Sequence, residues 1–78
     1  MSLSQSDSAT ASSVVATAQE VLPRFGLAYF VDDKNYTWAV TTSTPGPGIG
    51  GLRIGQRVRL TIQPRPGFTV VGSYEPLN

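Results

Sequence analysis

The sequence predicts an all-β fold, a small antiparallel barrel of four to five strands. Three observations point to it. Residues 25–42 hold five of the seven aromatic side chains, in two apolar runs that flank the polar tetrad Asp32-Asp33-Lys34-Asn35. That is the pattern of two strands joined by a hairpin turn. Residues 57–63, RVRLTIQ, alternate polar and apolar side chains, the period of a half-buried strand. Glycine and proline crowd residues 45–51, where a regular central strand cannot continue, and residues 64–67, where they make a tight connection.

Seventy-eight residues allow one domain with a small core. The chain has no cysteine and no histidine. It therefore has no disulfide, no thiolate metal site, no thiol nucleophile and no imidazole base. Neighbouring carboxylates such as Asp32 and Asp33 point to opposite faces of a strand, which makes a weak cation site and a good solvated hairpin tip. The stretch PGPGIGG lacks the Lys-Ser/Thr pair and the helix of a phosphate loop. The expectation is a protein that is not an enzyme and has no cofactor and no metal. No apolar run approaches the roughly 20 residues that span a bilayer, and no basic residue precedes an apolar block at the N-terminus. A cytoplasmic protein without a membrane partner is expected.

In chain order, residues 1–12 are rich in serine and poor in large apolar side chains, so a disordered tail is expected. Within residues 13–23, Val14, Val15, Ala18, Val21 and Leu22 recur at helical spacing before Pro23. A short helix or an irregular lead-in follows from that spacing. The barrel is expected over residues 24–78. Its first strand, about 24–31, would set Phe25, Leu27, Tyr29 and Val31 on one face, with Gly26, Ala28 and Phe30 on the other. The second, 36–42, opposes Tyr36, Trp38 and Val40 to Thr37, Ala39 and Thr41. The third turns Val58, Leu60 and Ile62 to the core and Arg57, Arg59, Thr61 and Gln63 to solvent. The last, 68–74, carries Gly72 at mid-strand, which predicts a bulge that helps close the barrel. Such a set suits an OB or SH3-like barrel.

The net charge of +1 hides an uneven distribution. All six basic residues follow residue 20, and Arg53, Arg57, Arg59 and Arg65 share a stretch without any acid. This is a local basic patch on a nearly neutral chain.

The run Tyr29-Phe30-Val31-Asp32-Asp33-Lys34-Asn35-Tyr36-Thr37-Trp38-Ala39 resembles the opening W-F-N-x-x-K-G-Y-G-F-I of the cold-shock domain, an OB-fold family. Leu52-x-x-Gly55-Gln56-x-Val58 is similar to its L-x-x-G-Q-x-V. Asn35 and Thr37 replace glycines of the first ribonucleoprotein motif, and the second such motif, V-F-V-H-F, is missing. The resemblance implies binding of single-stranded RNA or DNA, with Tyr29, Lys34, Tyr36 and Trp38 at binding positions. Arg57 and Arg59, on the solvated face of the third strand, would meet phosphates. The alternative is a protein-interaction or accessory barrel in which Tyr36 and Trp38 fill the core, because a domain this small has few aromatics to leave in water.

Overall fold

A computed structural model describes residues 12–77 as five antiparallel strands in one sheet, with no α-helix. They are β1 (Ser12–Leu22), β2 (Leu27–Asp32), β3 (Thr37–Thr41), β4 (Arg57–Arg65) and β5 (Phe68–Pro76). Their order is β3-β2-β1-β4-β5, and β3 approaches β5 without pairing, which makes a nearly closed barrel. A three-strand meander followed by a fourth strand that returns beside the first is a Greek key. The expected disordered tail, apart from Ser12, lies outside the described residues, and Ser12 already belongs to β1.

The expected helix at residues 13–23 is instead the central strand. Val14, Ala16 and Ala18 point inward in simple alternation. A β-bulge then inserts Gln19, because Ala18 pairs with Phe30 while Glu20 pairs with Tyr29. The extra residue shifts the phase and brings Val21 inward too. Inward positions 14, 18 and 21 thus acquire spacings of four and three, which mimic a helix. The barrel accordingly starts at Ser12 rather than near Arg24. Residues 23–25 form a single turn of 3₁₀ helix closed by Gly26 in the left-handed region, so β2 begins at Leu27. A Cβ on Gly26 would lie 2.8 Å from the Thr42 methyl group, which makes glycine the residue that fits this turn.

Phe30 is the centre of the core. It is fully buried between its cross-strand neighbours Ala18 and Trp38, with the Tyr74 ring 6.4 Å away. Small residues face it because a barrel this narrow holds few large ones: Ala16, Ala18 and Ala28 are all buried. Val58, Leu60 and Ile62 of β4 complete the wall, as the alternation of that strand predicts. Gly72 is the extra residue of a second bulge, since Thr61 pairs with Ser73 and Ile62 with Val71. The glycine-rich connection does more than join strands. Ile49 and Leu52 are buried and join the core cluster, while the Tyr74 hydroxyl accepts a hydrogen bond from Gly48 N at 3.0 Å.

Candidate functional site

The tip of the β2–β3 hairpin is built on one carboxylate. Asp32 Oδ1 accepts the backbone N–H groups of Lys34 at 2.8 Å and Tyr36 at 3.0 Å, and Oδ2 accepts the Trp38 indole Nε1–H at 2.9 Å. Asn35 takes a positive φ of 69° to close the turn, a conformation that asparagine tolerates better than most residues. The indole hydrogen bond, foremost, holds the Asp32 carboxyl below its ordinary pKa; partial burial opposes it, while the two backbone N–H groups and the Lys34 charge assist. The carboxylate therefore stabilises the fold in its ionised form. That contribution is complete above the ordinary value of 3.8 and is lost as the pH falls through the lower native value. Thermal melts across that acid range should show Asp32→Asn less stable than wild type at neutral pH, with the difference shrinking as the pH falls. A constant difference down to strong acid would mean that the carboxylate charge contributes nothing.

Above this latch lies a groove of about 380 Å³. Val14, Val15, Ile62 and the Trp38 ring supply apolar walls, and Asp33, Lys34 and Tyr36 form the outer rim. The Tyr36 ring is 62% exposed, whereas Trp38 is half-buried against the core. One side of the groove is a bare strand edge. β1 pairs with β4 as far back as Ser12 but with β2 only from Ala16, so among the described residues no strand covers Ser12–Val15 on the β2 side.

Of the six residues singled out in the sequence, Lys34, Tyr36 and Trp38 line this groove together. The other three lie elsewhere. Tyr29 is on the outer face of β2, paired with Glu20 and Ala39 and half-exposed. Arg57 and Arg59 stand on the outer face of β4 opposite Thr17 and Val15 of β1. Arg59 also lies 3.5 Å from Glu75 in an exposed ion pair. Arg57 and Arg59 do not line the groove, although Val15, the cross-strand neighbour of Arg59, does. The inward alternation of the second strand applies to Trp38 and Val40, while Tyr36 lies outside the strand in solvent.

Sequence reasoning passed over a second set of residues. Phe25, in the β1–β2 turn, is 77% exposed beside Arg24, and Phe68, at the β4–β5 turn, is 60% exposed near Arg65. With Tyr36 and Lys34, every two-strand turn of the barrel thus presents one solvent-facing ring and one cation within three residues of it. A signal was available in the glycines, since Phe25 precedes Gly26 and Phe68 follows Gly67, both at positive φ. Phe25 sits in the turn itself and Phe68 at the very end of its strand, where little sheet face is left to bury a ring against. Among the described residues no three acidic, histidine or cysteine side chains gather into a metal-binding group, and no helix is long and apolar enough to cross a membrane. Comparison with protein-family models, curated proteins and solved structures finds no match for this chain.

Proposed function

We propose that the protein is a non-catalytic barrel of the OB type that binds single-stranded nucleic acid through its hairpin turns and the outer face of β2 and β3. The observation that carries this reading is the repeated pairing of an exposed ring with a cation: Phe25 with Arg24, Tyr36 with Lys34, Phe68 with Arg65. A single exposed ring is ordinary on a protein surface; the feature here is that each stands at a turn beside a cation. Single-strand binding uses that arrangement, because bases stack on rings while cations meet the backbone. The Greek-key strand order supports the same reading. OB barrels are partly open Greek keys that bind oligonucleotides on strands 2 and 3 and on the loops 1–2 and 4–5. Here that face carries Tyr29 beside the small Ala39, with Thr37 and Thr41 flanking it. The cold-shock resemblance of the β2–β3 hairpin is in line with this assignment.

The interface is thus centred on the turns rather than on Arg57 and Arg59. At about −0.7 in log–log salt slope per phosphate on a single strand, replacing Arg24, Lys34 and Arg65 together by alanine should flatten the slope by about two units. These side chains are exposed, so the melting temperature should change little. The double change Arg57→Ala and Arg59→Ala should leave the slope nearly intact. Flattening by the double change alone would return the interface to the β4 face. A second reading, an interaction barrel that captures an extended protein segment, is favoured by the open seam between β3 and β5, where, among the described residues, no strand pairs with either edge. Failure of the protein to bind any oligonucleotide would favour that reading.

A further inference from the structure

The groove at the hairpin tip has a charge pattern that a phosphate-binding surface would not have. Both Asp32 oxygens are occupied by the latch. Among the described residues, no hydrogen bond or ion pair engages the Asp33 carboxylate on the rim. With Asp32 and Asp33 set against Lys34 alone, the groove is net negative and repels phosphate. What remains of a nucleotide that fits apolar walls, an exposed ring and an acceptor is the base. We infer that this groove takes one unstacked, amino-bearing nucleobase, cytosine, adenine or guanine in preference to thymine or uracil, stacked on Tyr36 and donating its exocyclic amino group to Asp33.

Three features carry the inference, which rests on the single-strand reading above. The volume of about 380 Å³ leaves ample room for a base between the apolar walls. Tyr36 presents its ring at the mouth with 62% of its surface in solvent, and any base has a π-face to lay on it. An ionised aspartate only accepts hydrogen bonds. It therefore favours bases that offer an amino donor, as acidic side chains do toward cytosine N4, and disfavours the carbonyl that thymine and uracil carry there. The bare Ser12–Val15 edge of β1 adds backbone donors and acceptors for the rest of the base edge, without distinguishing one base from another. Lys34 and the cations of the other turns then take the backbone outside the groove.

The test compares fluorescein-labelled oligo(dC) and oligo(dT) of about twelve nucleotides, within the usual span of a single-strand site, at pH 8 and low salt by anisotropy. Oligo(dC) should bind wild-type protein about tenfold more tightly than oligo(dT), the discrimination expected of one good base contact. Asp33→Asn, whose amide both donates and accepts, should bring the two affinities to within about threefold of each other. Because removing a negative charge also raises affinity for any oligonucleotide, the ratio is the readout. Tyr36→Ala should weaken binding of both. Equal binding of the two oligonucleotides by wild type, or a preference that survives in Asp33→Asn, overturns the base assignment and leaves single-strand binding standing. Binding of neither oligonucleotide overturns both.

Discussion

Phe30→Ala should be severely destabilising. The ring is fully buried at the centre of the barrel, with small alanines around it that cannot move in to fill the space it leaves. Substitutions of this kind cost about 3–5 kcal/mol. A domain of this length holds roughly 4–12 kcal/mol in all, at about 0.05–0.15 kcal/mol per residue. The variant should therefore lose between about a quarter and all of its stability. Its melting temperature and denaturant midpoint should fall sharply, read by the emission of the single Trp38. A loss below about 1 kcal/mol, the scale of a surface change, would mean that Phe30 is not at the centre and that the register of β2 is wrong.

The second large effect separates a strand from a helix at residues 12–22. Deleting Thr17 would place Ala16 next to Ala18 and reverse every side chain upstream, turning Val14 and Ala16 out of the core. Both pairings of β1, with β2 and with β4, would suffer, and the protein should not fold. Deleting Gln19 removes only the bulge residue. It leaves Ala18 inward, Glu20 outward and Val21 inward, a regular alternation, so the chain should still fold with a modest loss of stability. In a helix, either deletion would rotate the preceding residues by the same amount, and the two variants would behave alike. Circular dichroism and thermal melts of the pair distinguish the cases, and similar behaviour would contradict a bulged β1.

These two regions also mark what the sequence makes legible. β4 was readable because one of its faces is solvated and the other buried, so its alternation is uninterrupted from Arg57 to Gln63. The β2–β3 hairpin was readable from its polar tip. β1 was not, because a single inserted residue converts a period of two into spacings of four and three. Ile49 and Leu52 were hidden for a different reason: isolated apolar residues among glycines show no period, yet they join the core cluster. Lys34, Tyr36 and Trp38 do share a surface, through a device that spacing alone does not reveal, the Asp32 carboxylate reaching three N–H groups. Arg57 and Arg59 do not line the groove, but Arg59 faces Val15, which does; a solvated strand face does not by itself say which neighbouring face it adjoins. Phe25 and Phe68 were missed because burial is the default expectation for a ring, and their place in a turn or at a strand end leaves little sheet face to bury against.

Single-strand binding is tested most directly by titrating wild-type protein with a mixed-sequence single strand of about twelve nucleotides, following Trp38 emission over a range of salt concentrations. Trp38 is the only tryptophan and lines the groove, so its signal reports the proposed site. Binding should saturate at low salt, with a log–log slope of about −2 to −3 from three or four phosphate contacts at roughly −0.7 each. The duplex of the same sequence should bind more weakly, since its bases cannot reach the rings. No change in emission at low salt, or equal binding of the duplex, would contradict single-strand recognition by the exposed rings.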